Sequence, residues 1–106
     1  MPKFYRKDIG KRRKEFYQVY DEIPDSAPEV FKKCKLIAYD KCSISCNPLA
    51  PVNYEVHWSE HSMTWQDNID QMFRYQSIEI TKEEFDNAMK IIKNLAKDIK
   101  EIYNKL

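Results

Sequence analysis

Two cysteines and two histidines near the middle of the chain have a spacing that could hold a metal ion. Cys42 and Cys46 lie four residues apart, His57 and His61 also lie four apart, and ten residues separate the two pairs. Small zinc modules place such pairs on turns, where sulfur and nitrogen atoms reach one point at about 2.0–2.3 Å. A zinc-stabilised small module is therefore one candidate function.

The surrounding residues argue against that metal site. Residues 35–46 read as a strand, and in a strand Cys42 and Cys46 would stand about 13 Å apart, too far to share an ion. The cysteine pair also lacks the glycines or tight turn usual in zinc sites. We therefore expect the cysteines to be small buried hydrophobes, and we expect no bound metal or cofactor.

A cysteine nucleophile with His57 or His61 as its base, oriented by Glu60 or Asp40, is a third candidate. No motif joins these residues, and such sets arise often by chance. Gly10 is the only glycine of the chain, which excludes the glycine-rich loops that cradle phosphates. We therefore expect a protein that is not an enzyme.

A basic segment near the amino terminus is a better functional candidate. The first 20 residues carry seven basic and two acidic side chains, although the whole chain has a net charge of only +1. Cations attract phosphate and aromatic rings stack on bases, so an anionic partner is expected, with a nucleotide, nucleic acid or acidic protein surface as alternatives. The predicted anion-binding residues are Lys11, Arg12, Arg13 and Lys14, and the predicted partner contacts are Tyr17 and Tyr20. The competing interpretation is an ordinary solvated surface whose aromatic residues belong to the core.

The last 26 residues carry the clearest secondary-structure pattern. Thr81 and Glu84 have the spacing of a capping box, so a helix should begin at Lys82. Apolar residues then recur in a stripe wide enough to pack on a sheet. A helix of this length would span about 37 Å, and any overhanging apolar end could form a homodimer interface.

Strands are predicted at residues 35–46, 52–58 and 75–80, where aromatic, branched and small residues dominate. Residues 64–75 predict a helix with Thr64 and Asp67 as its capping box, the alternative being two further strands in 62–80.

The segment before residue 24 is ambiguous. It predicts a helix capped by Asp8, with a strand over residues 15–23 as the alternative. Residues 29–34 predict one short helical turn.

These elements predict an α+β fold made of one domain over residues 1–106. A small antiparallel sheet of three to four strands is expected, covered on one face by the long carboxyl-terminal helix, with the helices on one side. No apolar run is long enough to cross a membrane or to serve as a signal peptide, so a soluble, cytoplasmic protein is expected. The expected function is a small non-catalytic binding or regulatory protein that acts through contact.

Overall fold

A computed structural model describes residues 2–10, 12–23, 25, 28–33, 35–46, 54–74 and 77–105. The side chains at positions 31, 32, 46, 54, 61, 70 and 99–105 lie outside this description. The elements follow in the order β1 (Lys3–Ile9), β2 (Arg13–Val19), α1 (Glu29–Lys32), β3 (Leu36–Cys46), β4 (Tyr54–Trp65), α2 (Gln66–Met72), β5 (Ser77–Ile80) and α3 (Lys82–Lys105).

The strands form one antiparallel sheet with the spatial order β4-β3-β2-β1-β5. The predicted α+β class, with the last helix packed on an antiparallel sheet, is confirmed. The expected sheet size is wrong, because five strands are present in the described part of the chain instead of three to four. The additional strands come from the amino-terminal region.

The predicted amino-terminal helix is wrong, because β1 and β2 form a hairpin in this region. Gly10 lies in the connecting turn at a φ of 60°, a conformation that a residue without a Cβ adopts at little cost. In β2, Glu15, Tyr17 and Val19 are buried and the residues between them are partly exposed. This period of two, together with the strand preference of aromatic and β-branched residues, outweighs the helical spacing.

The strands predicted in the middle of the chain are confirmed where the structure describes them. β4 continues seven residues beyond the predicted end at residue 58, to Trp65. Helix α2 is also confirmed, but its predicted capping box is wrong, because Trp65 is the N-cap residue and forms no side-chain cap. The hydroxyl oxygen of Thr64 instead accepts a 3.4 Å hydrogen bond from the side-chain amide of Asn68. The short turn α1 lies where it was predicted.

Helix α3 begins at Lys82, as the capping pattern predicts. The Glu84 N–H donates to the Thr81 hydroxyl oxygen at 3.2 Å, and the Phe85 N–H donates to the Thr81 carbonyl at 3.1 Å. The first bond satisfies a backbone donor that has no carbonyl partner inside the helix, and the second is the first i to i−4 bond of the helix.

The core lies between α3 and one face of the sheet, which is called the α3 face below. Phe4, Cys42, Phe85 and Ile92 are buried there, and the rings of Phe4 and Phe85 lie 5.6 Å apart. Partly buried hydrophobic residues surround this cluster, namely Phe16, Ile44, Val56, Ile80 and Met89. Burying each large apolar side chain contributes about 1.5–3 kcal/mol, so this contact determines where α3 lies on the sheet.

The opposite face, called the α2 face, carries helix α2, so the expectation that the helices lie on one side is wrong. Just after α2, Phe73 stacks on Tyr5 at 4.3 Å and meets Tyr17 edge-on at 5.0 Å. Ile69 of α2 is also buried. Tyr5 and its neighbour Phe4 point to opposite faces because side chains alternate along a strand. Part of the sheet is therefore covered on both faces, by α3 on one side and by α2 with Phe73 on the other.

Candidate functional site

The predicted basic segment lies at the tip of the β1–β2 hairpin. Residues 10–14 are called the basic hairpin here. Arg12 lies in the turn with an exposed side chain, whereas Lys11 lies outside the described residues. The register places Ile9 opposite Arg13. The hairpin therefore projects its cations from the end of the sheet.

Arg13 and Lys14 diverge because neighbouring strand residues point to opposite faces. Arg13 points to the α2 face, where its guanidinium lies 3.3 Å from the Glu15 carboxylate. Lys14 points to the α3 face and is exposed. The four predicted residues do not form one cluster, since Arg13 is engaged with a carboxylate on the face opposite to Lys14.

Both acidic side chains of the hairpin strands are neutralised by neighbours. The Asp8 carboxylate lies 3.1 Å from the Arg6 guanidinium. The Glu15 carboxylate lies 2.6 Å from the Lys41 ammonium in addition to its contact with Arg13. Arg12 and Lys14, in contrast, form no ion pair with any residue that the structure describes. The hairpin thus presents a net positive surface.

Glu15 is the most enclosed charged side chain of this region, with 4% of its surface exposed. Burial alone would raise its pKa. The hydrogen bond and charge of Lys41, the charge of Arg13 and the Tyr17 hydroxyl outweigh burial, and the pKa of Glu15 lies below its ordinary value. The carboxylate therefore stays ionised and holds Lys41 and Arg13 in place on the α2 face.

The two predicted partner contacts lie away from the hairpin tip. Tyr17 is 3% exposed, with its ring against Tyr39 and Phe73, so in this chain alone it offers almost no surface to a partner. The Tyr20 hydroxyl donates a 2.5 Å hydrogen bond to Asp40, next to an irregularity in the β3–β4 register. Burial, followed by the Asp40 hydrogen bond, raises the pKa of Tyr20. The contact role of both tyrosines stays a prediction. The candidate anion-binding site therefore consists of the exposed side chains of Arg12 and Lys14.

The structure separates Cys42 and His57, two of the four proposed zinc ligands. Cys42 is fully buried on the α3 face. Its neighbour Ser43 pairs with His57 across β3 and β4, so Cys42 and His57 point to opposite faces of the sheet and cannot bind the same ion. The side chains of Cys46 and His61 lie outside the described residues. Within the described part, no group of three or more His, Cys, Asp or Glu side chains could hold a metal ion.

The same placement argues against Cys42 as a nucleophile. Burial raises the pKa of its thiol to about 12, although the charge of Lys93 opposes the shift. A nucleophilic cysteine needs the thiolate and an approach for substrate, and Cys42 has neither. Its surroundings are those of a core residue.

The fold creates a cleft beside the hairpin that no pattern in the sequence indicates. It measures about 420 Å³ and lies between the α3 face and α3 itself. The lining residues are Arg6, Lys14, Phe16, Ile44, Glu84, Asn87, Ala88, Ile91 and Ile92. They come from four separate elements, so only the register between strands and the position of α3 bring them together.

The side chains at the carboxyl-terminal end of α3, where a homodimer interface was predicted, lie outside the described residues, and that interface stays a prediction. None of the helices described here is long and apolar enough to cross a membrane. Comparison of this chain with protein families, curated proteins and solved structures found no match in any of the three.

Proposed function

We propose that this protein is a non-catalytic binding protein that acts through contact, with the basic hairpin facing an anionic partner. One observation carries the proposal: Arg12 and Lys14 are exposed without an ion-pair partner in the described chain, while Asp8 and Glu15 are both neutralised. Such a surface attracts anions over the distance set by salt screening, about 8–10 Å at physiological ionic strength.

The aromatic residues of strands β1 and β2, next to the basic hairpin, help to decide which anion fits this surface. Phe4 and Tyr17 are buried, Tyr5 is stacked under Phe73, and Phe16 is partly buried beside α3. None of these rings of strands β1 and β2 is free to stack on a base. A phosphate backbone, contacted through charge without reading of the bases, therefore fits this surface better than a partner that requires stacking.

The test is binding of a fluorescein-labelled single-stranded oligonucleotide, followed by anisotropy over a series of salt concentrations. Each phosphate contact contributes about 0.7 to the slope of log affinity against log salt. The double variant R12Q/K14Q should weaken binding about tenfold at low salt and reduce this slope by about 1.4 if both cations contact phosphate.

The matched control is K90Q/K97Q, which removes two exposed lysines from α3 and leaves the hairpin unchanged. It should bind like the parent protein. Equal weakening by both double variants would show a general charge effect and contradict the proposal. If oligonucleotide fails to bind, poly-glutamate is the second probe: binding that R12Q/K14Q weakens would identify an acidic protein surface as the partner, and binding of neither probe would refute the hairpin's role.

A further inference from the structure

We infer that the cleft between α3 and the sheet is a binding site for a small amphipathic anion, a carboxylate carried on an apolar body. This site shares Lys14 with the surface proposed for the anionic macromolecule, but Arg12 does not line it, so R12Q distinguishes the two. The name sheet–helix cleft is used below for the nine lining residues given above.

The apolar part of the sheet–helix cleft has two sides. Phe16 and Ile44 come from neighbouring strands and form the floor, and Ala88, Ile91 and Ile92 come from α3 and form the wall. Ile91 lines the cleft and has 51% of its surface exposed, so much of this apolar side chain contacts water. A ligand with an apolar body would remove this side chain from water, which is favourable.

The charged part of the cleft favours an anion. Lys14 lines the cleft and has no carboxylate partner in the described chain. The Arg6 guanidinium lies 5.6 Å from the centre of the Phe16 ring and also binds Asp8 at 3.1 Å. Glu84 opposes these two cations from the first turn of α3. Because Arg6 is already paired with Asp8, Lys14 is the cation of the lining that has no ion-pair partner in the described chain, and it is the main anchor for a carboxylate beside the apolar floor.

The dimensions favour a small molecule over a protein partner. A volume of about 420 Å³ falls within the roughly 300–1,000 Å³ of small-molecule sites. A stable protein interface takes about 20–30 residues from each partner, whereas nine residues line this cleft. A single alkyl or aryl carboxylate is the occupant that fits both the apolar walls and the charge.

The test is a titration of ¹⁵N-labelled protein with octanoate, followed by the amide signals of the described residues. The signals of Ile44, Ala88 and Ile91 should shift together. Octan-1-ol, which has the same chain without the charge, should bind about threefold to tenfold more weakly, because two partly exposed cations each contribute a factor of up to about five. K14Q should weaken octanoate binding about threefold. E84Q should strengthen it about twofold, because it removes the opposing carboxylate.

A blocking variant tests the location of the site. Asn87 is exposed at the rim, so N87W would place a large ring over the cleft without replacing a core residue, and octanoate binding should be lost. N94W, on the same helix but outside the cleft, is the matched control and should bind normally, as should R12Q. The inference is overturned if the cleft signals of the folded protein do not shift at about 10 mM octanoate, a concentration that detects even millimolar affinity. It is also overturned if octanol binds as well as octanoate, or if N87W binds like N94W.

Discussion

Replacing Lys41 with methionine should expose how much the buried carboxylate of Glu15 depends on its partners. Methionine keeps most of the apolar stem of lysine and removes only the ammonium. That group lies 2.6 Å from Glu15 and 5.6 Å from the centre of the Tyr17 ring. The variant therefore leaves a carboxylate that is 4% exposed with Arg13 as its only described cationic contact.

The magnitude follows from the two distances. At an effective dielectric constant of about 20, the Lys41 contact is worth about 6 kcal/mol of attraction before desolvation, and the remaining Arg13 contact at 3.3 Å about 5 kcal/mol. K41M also removes the free-energy cost of desolvating the ammonium on folding. The net loss of stability is therefore much smaller than the attraction. Breaking a fully buried pair costs about 3–5 kcal/mol, and Lys41 retains 23% exposure, so we expect K41M to lose about 2–3 kcal/mol at neutral pH.

The pH dependence of the K41M loss distinguishes the missing charge of Lys41 from lost packing. The pKa of Glu15 in the folded protein lies below its ordinary value of 4.5, so its stabilising contribution is present above that value and is lost as pH falls through the folded pKa. In K41M, fewer partners oppose the effect of burial, so the pKa of Glu15 in the folded variant should be higher than in the parent. Protonation of Glu15 then removes the unfavourable buried charge from the variant as pH falls. The difference in unfolding free energy between parent and K41M should therefore shrink as the pH falls through the folded pKa of the variant and then through that of the parent.

Urea unfolding of the parent, K41M, E15Q and E15Q/K41M at neutral and acidic pH measures these quantities. The double variant should regain part of the stability that K41M loses, because no buried charge remains without its partner. K97M, at an exposed position on α3, is the control and should change stability by less than about 0.5 kcal/mol. A K41M loss below about 1 kcal/mol, a loss that is independent of pH, or a double variant as unstable as K41M would refute the reasoning.

Two further substitutions, with T64A as a control, test the packing and the start of α3. F85A should lose about 3–5 kcal/mol in urea unfolding, because Phe85 is 3% exposed and contacts Phe4 at the centre of the core; a loss below about 1 kcal/mol would contradict this packing. T81A should lose about 1 kcal/mol, because its hydroxyl caps α3, whereas T64A should lose only a few tenths, because Thr64 caps no backbone group of α2; equal losses would contradict the assigned caps.

The parts of the fold that depend on local chemistry could be predicted from the residues alone. The hydroxyl of Thr81 and the apolar stripe that follows it act within a few residues of each other, so the start of α3 and its packing face follow from spacing. Strand β3 could be predicted for the same reason. The amino-terminal hairpin could not, because its aromatic and branched residues fit a helix face and a strand almost equally well, and pairing of β1 with the distant β5 favours the strand.

The candidate site depended on tertiary structure to a greater extent. The charge of residues 11–14 is a property of the sequence, but which cations stay without a carboxylate partner depends on strand alternation and on Lys41, which lies on a different strand. The sheet–helix cleft joins Arg6, Ile44 and Ala88, which are far apart along the chain. Composition and local spacing therefore determined that the protein has a basic amino-terminal segment and an amphipathic final helix. Only the register of the sheet and the position of that helix on it decided which side chains come into contact. Contacts between residues that are distant along the chain depend on tertiary packing, which local sequence patterns do not determine.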